Sequence, residues 1–510
     1  MIDTAQAVRS RLDQVGLETA ILVAVACLGI TALSGRVGTA GFTAAVAVVA
    51  ALVAVSTAAA DRLRALLTRM RRTPLRSRNL PLADFRPPRL PPRLLMEPAG
   101  AEWLPVAALL AGVLVWRSGT AHHGVAIALL VVSAGLAVAR VTGLAALLAR
   151  DHRSKLRTRA VAAVSQAVAQ LAPDVLLYFS GSVEELYQLR MWFEPVARLG
   201  RRPLVVVRSD AAMDELHDAP FPVISSVYNG TIAALPLPAK VLTLFPTHSG
   251  NNLSMLRRPE TYCVFIGHGD SDKPDSANPY ARVYDEVWVA GPLGRRRYAD
   301  AAIGVRNDAV HEIGRPQFLV PAEAPAKPPL IVYAPTWEGW GDDPHHSSLP
   351  HVGEALVDAL LATPGVQVRY RPHPLTGRRD PAVRKAHEAI VRRIGRVPAE
   401  EPMAVTAAAA SALVCDVSSV VSEYLPYDRP YAVPDTRGLG RRGMTRSYPS
   451  TSGGFLIGAD LAGLDALVAA TTGRRDPTKR ARRALIADAL GDPSTSQERF
   501  AAAVARVLGG

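Results

Sequence analysis

The sequence predicts an α/β protein in which two doubly wound domains follow an all-α transmembrane region. Three observations lead to this fold class: long apolar runs occur within residues 1–150, short apolar runs alternate with helical stretches after residue 151, and a Pro- and Ala-rich linker at 321–329 interrupts that alternation. Strands buried on both faces of a parallel sheet read as continuous apolar runs of this kind. We therefore divide the chain into a membrane region, 1–150, a first α/β half, 151–320, and a second half, 328–510.

The membrane region contains four apolar runs, at 16–35, 37–60, 103–116 and 122–149. The first two have the length that a helix needs to cross a bilayer. The third is short and the fourth contains Arg140, so an interfacial or re-entrant hairpin is the alternative for this second pair. We expect about four spans and a multi-pass protein of the cell membrane.

Charge sets the expected orientation of these spans. The loop at 61–97 is dense in Arg, and the segment after the fourth run is basic as well. Because short Arg-rich loops stay in the cytoplasm, both α/β halves are expected there. The chain carries 58 Lys+Arg against 45 Asp+Glu, a net charge of +13, and much of the excess lies beside the apolar runs. This placement favours contact with anionic membrane lipid. Because the sequence contains no recognised nucleic-acid module, we expect no nucleic-acid partner.

The three cysteines have unrelated surroundings and no CxxC spacing, so we expect neither a disulfide framework nor a zinc site. The α/β halves contain ten strand-like runs and a helical stretch at 183–199. The runs are DVLLYFSG, PLVVVRS, FPVISS, KVLTLF, YCVFIGHG and DEVWVAG in the first half, and LIVYAPTW, VQVRYRPHP, ALVCDVSS and PYAVPD in the second. Two doubly wound domains joined by a short linker describe the GT-B architecture, in which a cleft separates the halves.

Ligands of parallel sheets bind beyond the carboxyl ends of the strands, so the polar residues that end strands are the candidate site. His268 stands between two glycines after YCVFI, and RPHP places Arg371 and His373 on a stiff extended segment. In VCDVSSVVSEYL a strand-to-helix turn offers unpaired N–H groups to an anion, although Asp416 or Ser418 could equally be a helix N-cap. Together these ends describe a pyrophosphate site with one spare base.

The order of GHG and a lysine, then YAPTW, RPHP and DVSSVVSEYLPYDRP, is similar to the CDP-glycerol glycerophosphotransferase family of teichoic acid primases and polymerases. The resemblance covers roughly residues 170–460. It implies a GT-B fold, a CDP-linked polyol donor, a lipid-linked or polymeric acceptor, and transfer of the phosphoryl-polyol to an acceptor hydroxyl with release of CMP. It implies no metal and no other cofactor.

The resemblance also implies roles for individual residues. His268 would be the general base, and His373 with Arg371 would stabilise the donor pyrophosphate. The predicted donor and phosphate ligands are Ser418, Ser419, Asp416, Thr336 and Lys273, and the predicted acceptor-side residues, from the strand end THSGNN, are His248, Ser249 and Asn251.

The sequence departs from the family pattern in two places. Ile266 and Gly267 precede His268 where an aromatic residue is usual, and GDSDKP follows it. The basic, glycine-rich segment 440–454 replaces an aromatic-rich strip. Both departures predict a donor or acceptor altered from plain glycerol phosphate.

Two other functions and one metal site are alternatives that the sequence leaves open. A GT-B glycosyltransferase that uses a nucleotide sugar would have the same outline, and a non-catalytic membrane scaffold is the other alternative. The presence of His268, Arg371, His373 and the serine pair argues against a scaffold. The loop 339–348 holds Asp342, Asp343, His345 and His346, but it lacks wider ligand spacing, so a solvated loop is favoured over a metal site.

Overall fold

The computed structural model describes residues 40–71, 74–82, 103–153, 155–318, 327–339, 347–398 and 401–509. The chain divides into two compact units. One comprises Met1–Pro74 and Leu82–Val164, and the other comprises Leu75–Pro81 and Ser165–Gly510. Both sheets lie in the second unit, so the candidate site is contained within one compact body.

The first unit is helical where it is described. Its helices are α1 (Ala40–Arg71), α2 (Trp103–Arg117) and α3 (His123–Arg153), and α4 (Leu156–Leu171) crosses into the second unit. Val46 of α1, Leu109 of α2 and Leu130 of α3 are buried in one apolar cluster. The three helices therefore pack side by side through small and branched apolar side chains.

Two of the four predicted spans correspond to helices of sufficient length and hydropathy, Ala40–Arg69 and Thr120–Arg153. The third run forms the shorter apolar helix Leu104–Arg117. A helix of that length reaches only about 20 Å, less than a bilayer core of about 30 Å, so a complete third span is not supported. The first run, 16–35, lies outside the described residues. The described helices thus supply two candidate spans, and the multi-pass topology rests on the sequence alone.

The first sheet has eight strands in the order β1-β4-β3-β2-β5-β6-β7-β8. Its strands are β1 (Arg76–Arg78), β2 (Val175–Phe179), β3 (Pro203–Val207), β4 (Val223–Ser225), β5 (Val241–Phe245), β6 (Thr261–Phe265), β7 (Glu286–Val289) and β8 (Val310–Glu312). All neighbours pair in parallel except β1 and β4, which are antiparallel.

Strand β1 corrects the description of 61–97 as a loop, because α1 continues to Arg71 and Arg76–Arg78 then adds an edge strand to the first sheet. Nothing in Arg-Ser-Arg predicts a strand by apolar pattern. Backbone pairing with β4 forms the strand, and Arg76 adds a surface ion pair, in which a guanidinium nitrogen lies 2.6 Å from the Asp214 carboxylate.

The second sheet has five parallel strands in the order β10-β9-β11-β12-β13. Its strands are β9 (Leu330–Ala334), β10 (Gln367–Tyr370), β11 (Ala412–Cys415), β12 (Tyr431–Pro434) and β13 (Phe455–Ile457). The ten predicted strands are all confirmed, as is the α/β class with parallel sheets. The strands that the sequence did not predict, β1, β8 and β13, are each three residues long, too short for a periodicity signal.

Helices connect the strands on both sheets. Those of the first half are α5 (Tyr187–Arg190), α6 (Phe193–Ala197), α7 (Asp210–Glu215), α8 (Asn229–Ala233), α9 (Leu253–Leu256) and α10 (Pro292–Ala301). Those of the second half are α11 (Glu354–Leu361), α12 (Pro381–Ile394), α13 (Met403–Ala409), α14 (Ser419–Tyr424), α15 (Gly440–Ser447), α16 (Leu464–Thr471), α17 (Lys479–Leu490) and α18 (Ser496–Leu508).

The last helix returns to the first half. Phe500 of α18 is fully buried in the core of the first sheet, where its ring contacts Trp192 and Trp288. The chain therefore crosses between the sheets twice, and the second crossing ties the C-terminal end of the chain to the half that precedes the linker.

We predict that Phe500→Ala destabilises the protein by about 3–5 kcal/mol, because a buried aromatic side chain is lost and a cavity remains. Leu361→Ala is the matched control, since Leu361 is 47% exposed, and it should cost less than about 0.5 kcal/mol. Urea unfolding followed by tryptophan fluorescence measures both. Equal stability of the two variants would show that α18 is not docked on the first sheet.

Candidate active site

His268 sits on a tight turn that leaves the end of β6. Gly267 adopts φ 59°, a left-handed conformation that favours glycine, and its carbonyl accepts a 2.8 Å hydrogen bond from the Trp192 indole. The Nδ1 atom of His268 lies 3.1 Å from the Pro246 carbonyl oxygen. Because a carbonyl only accepts, Nδ1 must carry the hydrogen, and the neutral imidazole has its lone pair on Nε2. Burial lowers the pKa of His268, which keeps the ring in this neutral form.

His373 has the opposite tautomer. The backbone N–H of Leu375 donates to its Nδ1 atom over 3.1 Å, so the hydrogen of the neutral ring is on Nε2. Burial, reinforced by the positive charge of Lys273, lowers the pKa of His373 to about 3. The ring also stacks on Trp337, with centroids 5.7 Å apart. At neutral pH His373 is therefore an uncharged hydrogen-bond donor through Nε2.

Tyr187 brings these two histidines together. The structure replaces the predicted helix at 183–199 with a 3₁₀ turn and two short helices, α5 and α6, and Tyr187 begins α5. Its hydroxyl lies 3.4 Å from Nε2 of His373, and its ring meets the edges of His268 and His373 with centroids 6.2 and 6.1 Å apart. Nothing in the sequence distinguishes Tyr187 as a site residue, because a lone aromatic on a helical stretch is usually a core residue.

The segment that follows His268 is bound by the second half. The Ser422 hydroxyl donates to the Asp270 carbonyl over 2.8 Å, and the Lys273 ammonium donates to the Thr336 hydroxyl over 3.0 Å. The predicted donor ligands Lys273 and Thr336 therefore do meet, although one comes from each half. Together they place one positive charge and one hydroxyl beside His373.

Asp272 makes the third link between this segment and the second half. Its side chain is 2% exposed and pairs with Arg297, while its second oxygen accepts a 2.7 Å hydrogen bond from the backbone N–H of Ser450. GDSDKP and the segment 440–454, the two departures from the family pattern, are thus in direct contact. Only the tertiary structure shows that they form one feature.

Ser419 packs against the histidine turn. A Cβ atom built on Gly269 would lie 2.4 Å from Cβ of Ser419, closer than any two such atoms approach. The glycine after His268 is therefore needed for the approach of the second half, as well as for any approach of a ligand.

The polar residues of the β11–α14 turn divide into different roles. Asp416 is 1% exposed and accepts hydrogen bonds from the backbone N–H groups of Thr336, at 2.8 Å, and Ser348, at 3.2 Å. Burial raises the pKa of Asp416 to about 6, although these hydrogen bonds act to lower it. The Ser418 hydroxyl accepts from Val420 N–H over 3.3 Å, so Ser418 is the N-cap of α14. Both residues shape the turn from within, which was the alternative interpretation of this motif.

The hydrogen bonds of Arg371 go to the segment at the start of α13. Its guanidinium donates to the Glu401 carbonyl at 2.7 Å and to the Met403 sulfur at 3.2 Å. Burial lowers the pKa of Arg371, partly offset by the negative charge of Glu423. The positive charge of Arg371 also acts on the His373 ring and lowers its pKa, and the joint binding of one anion by the two residues stays a prediction.

Two buried charged residues near the histidine turn were not selected from the sequence. Arg315, 5% exposed, donates to the His268 carbonyl over 3.4 Å. Glu423, 7% exposed, accepts from the Ser419 hydroxyl over 3.3 Å, and burial raises its pKa while Arg315 and Arg371 oppose that shift. Glu423 lies four residues after Ser419, one helical turn, and this spacing was the available signal.

The predicted acceptor-side residues lie on the loop after β5. The His248 ring stacks on Phe265 with centroids 3.6 Å apart, and burial together with the charge of His268 lowers its pKa to about 3. Ser249 and Asn251 use their backbone carbonyls, which accept from the hydroxyls of Tyr280 and Tyr178. His248 therefore lies on the His268 side of the cleft, whereas Ser249 and Asn251 stabilise the loop.

Among the described residues no group of three or more His, Cys, Asp or Glu side chains is placed to hold a metal ion. The loop with Asp342, Asp343, His345 and His346 lies outside the described residues.

Residues 296–451 match the model of the CDP-glycerol:poly(glycerophosphate) glycerophosphotransferase family. The match covers less than a third of the chain. It includes Thr336, Arg371, His373 and the β11–α14 turn, and it begins after His268. Over this part of the chain the resemblance drawn from the sequence is confirmed, and the match supports an enzyme of the glycerophosphotransferase type.

Among solved structures, the chain is similar to the wall teichoic acid polymerase TagF, with 12% identity over 69% of this chain and 94% of that chain and a TM-score of 0.44. It is also similar to Staphylococcus aureus MnaA with UDP, at 13% identity, 66% and 97% coverage and a TM-score of 0.42. A putative UDP-N-acetylglucosamine 2-epimerase from Listeria monocytogenes has 15% identity, 65% and 95% coverage and a TM-score of 0.44. The curated proteins contain no match.

We predict that Gly269→Ala displaces the His268 turn, because the added methyl group collides with Ser419. Turnover should fall by about 10²-fold, the order expected for a displacement of about 1 Å at a reacting group. Gly230→Ala is the control, since a Cβ there meets nothing within 4 Å. Unchanged turnover in Gly269→Ala would mean that the two halves do not approach this closely during catalysis.

We predict a pH-dependent stability from Asp416. Its pKa in the folded protein, about 6, is above the value of 3.8 for a free carboxyl, so the folded state binds the proton more tightly. The stability that this proton confers is complete below pH ~4 and is lost as the pH rises through 6. Relative to Asp416→Asn, the wild type should lose on the order of 2–3 kcal/mol between pH ~4 and ~7.

Urea unfolding of both proteins across this pH range measures the difference. Asp465→Asn, at an exposed position of α16, gives the effect of replacing a surface carboxylate. If the difference in unfolding free energy between the wild type and Asp416→Asn stays constant with pH, the prediction is wrong.

Proposed function

We propose that this enzyme transfers a phosphoryl-polyol group from a CDP-linked donor to an acceptor hydroxyl, in a GT-B type cleft between its two sheets. The observation that carries the proposal is the pair of complementary histidines. His268 offers a lone pair on Nε2, His373 offers a hydrogen on Nε2, and each tautomer is imposed by a backbone group. A base and a neutral hydrogen-bond donor at one site are the groups that a phosphoryl transfer to a hydroxyl needs.

In the proposed reaction, Nε2 of His268 takes the proton of the acceptor hydroxyl as its oxygen attacks the phosphorus that carries the polyol. The bond between this phosphorus and the bridging oxygen breaks, and CMP leaves with the bond electrons. His373 donates its Nε2–H to a phosphoryl oxygen, and the Lys273 ammonium neutralises part of the charge that develops on the leaving phosphate. The product is a phosphodiester, and the proton on His268 passes to water.

The two halves would contribute differently to binding. The donor phosphates would lie beside Lys273, Thr336 and the Ser419 side chain. The Nε2–H of His373 would donate to a phosphoryl oxygen at the same place. The acceptor would approach from the side of His248. Asp416 and Ser418 support the donor side indirectly, because their hydrogen bonds fix the backbone at Thr336 and at the start of α14.

We further propose that the enzyme is anchored to the cell membrane, with its sheets in the cytoplasm, and that its acceptor is a lipid-linked or polymeric alcohol of a teichoic-acid-like envelope polymer. Two helices of sufficient length and hydropathy support the anchor, and the +13 charge supports contact with anionic lipid or polymer. The altered segments around Asp272 and Ser450 support a polyol or acceptor that differs from plain glycerol phosphate.

The test is CMP release by the detergent-solubilised full chain, with CDP-glycerol and CDP-ribitol compared against UDP- and GDP-sugars, in the presence and absence of EDTA. We expect CMP from a CDP-polyol in EDTA. Release of a nucleotide only from a sugar donor would identify a glycosyltransferase instead. Activity that EDTA abolishes and magnesium restores would transfer the charge-neutralising role from Lys273 to a metal ion.

We predict that His268→Ala retains donor affinity and loses about 10²–10⁴-fold in turnover, because a general base acts only on the proton in transit. Ser418→Ala combined with Ser419→Ala should instead weaken CDP-polyol binding. Isothermal titration and CMP release separate the two effects, and His217→Ala, at an exposed position, is the control. The same loss of donor affinity in both variants would contradict this division of roles.

A further inference from the structure

We propose that Tyr187 is a positioning residue for this transfer that keeps the two histidines apart, because its ring contacts both of them and its hydroxyl accepts the Nε2 hydrogen of His373. The inference rests on the proposed roles of His268 and His373. The proposed roles of His268 and His373 create a further requirement. An acceptor and a donor in one cleft must be kept from binding each other.

The first step of the argument is the complementarity itself. The Nε2 lone pair of His268 and the Nε2–H of His373 are a hydrogen-bond acceptor and a donor on rings in the same site. If the rings met directly, the base would accept from the donor and neither atom would be available to substrate. A side chain that separates the rings therefore preserves both functions.

The second step is the geometry of the separation. The Tyr187 ring meets both imidazoles edge-on, with interplanar angles of 89° to His268 and 88° to His373. The centroid distances, 6.2 and 6.1 Å, are equal within 0.1 Å, so the phenol ring contacts the two imidazoles to the same extent. Edge-to-face contact at this distance is the preferred arrangement of aromatic pairs, and it fixes the orientation of each ring.

The third step concerns the phenol oxygen. It lies 3.4 Å from Nε2 of His373 and accepts from the Gln188 amide at 3.5 Å. These two donors occupy the lone pairs of the oxygen, so the phenol hydrogen must point away from both of them. Burial raises the pKa of Tyr187 to about 12, so the hydroxyl keeps its hydrogen at neutral pH. A phosphoryl oxygen that enters the site would replace the phenol oxygen as the acceptor of the His373 hydrogen, with the phenol hydrogen beside it.

The test uses nitrogen NMR of the full chain labelled with [¹⁵N]histidine, in detergent and without substrate. Spectra of His268→Ala and His373→Ala assign the two rings. In the wild type we expect the Nδ1–H tautomer for His268 and the Nε2–H tautomer for His373. Because no donor is present, this readout remains valid even if the enzyme proves to use a different substrate.

Two variants separate the hydroxyl from the ring. Tyr187→Phe keeps the ring and removes the acceptor. We therefore expect the Nε2 shift of His373 to report a lost hydrogen bond, while the tautomer imposed by the Leu375 N–H is kept, and turnover to fall about tenfold, as for one lost hydrogen bond. Tyr187→Ala removes the phenol ring as well. We therefore expect Nε2 shifts of both histidines that report a hydrogen bond between them, and a further loss of about tenfold in turnover. Tyr427→Phe, which loses a hydroxyl bonded to the Ala404 carbonyl, is the matched control.

The proposal is overturned if Tyr187→Phe leaves the Nε2 shift of His373 and turnover at wild-type values. It is equally overturned if Tyr187→Ala shows histidine shifts and turnover identical to those of Tyr187→Phe, because the ring would then separate nothing. Circular dichroism melting of each variant shows whether the protein is folded, and the Phe variant, which preserves the packing of the ring, is the one that decides.

Discussion

The attachment of residues 267–273 to the second half is the constraint on which the rest of the site depends. This segment leaves β6 of the first sheet, and the second half binds it through Ser422, Ser450 and Thr336. The Asp272 carboxylate is the central contact, because a buried charge must keep its partners or the fold loses several kcal/mol. With the segment held in this way, the position of His268 relative to the second sheet is fixed as well, and so is the distance between the two histidines.

The chemistry of the two histidines is decided by backbone groups at strand ends. The Pro246 carbonyl follows β5 and the Leu375 N–H follows the extended RPHP segment, and neither group can change its role as acceptor or donor. Burial keeps both rings neutral, so each tautomer persists at neutral pH. The site therefore obtains a hydrogen-bond acceptor and a hydrogen-bond donor from the same type of side chain, and the difference between them comes from two backbone atoms.

The polar residues that follow β11 have two different roles, although they belong to one motif. Asp416 and Ser418 use their oxygens to satisfy backbone N–H groups of the second half, whereas Ser419 packs on the histidine turn and bonds Glu423. A strand-to-helix turn needs internal hydrogen bonds before it can present anything to a ligand. The N-cap interpretation and the phosphate interpretation of VCDVSSVVSEYL are therefore complementary, since the residues that cap the turn hold the ones beside the cleft.

The sequence by itself determined the α/β class, ten of the thirteen strands of the described residues and most of the residues that end them, because buried parallel strands carry an apolar signal that is local in the chain. It also indicated the family that the second half resembles, through motifs whose order along the chain is kept. Only the tertiary structure decided that Asp272 meets Ser450, that Arg371 turns toward Glu401, and that Tyr187 contacts both His268 and His373. The reason is physical: the tautomer of a histidine, the partner of an arginine and the burial of a carboxylate are set by groups tens to hundreds of residues away, and periodicity and spacing carry no information about them.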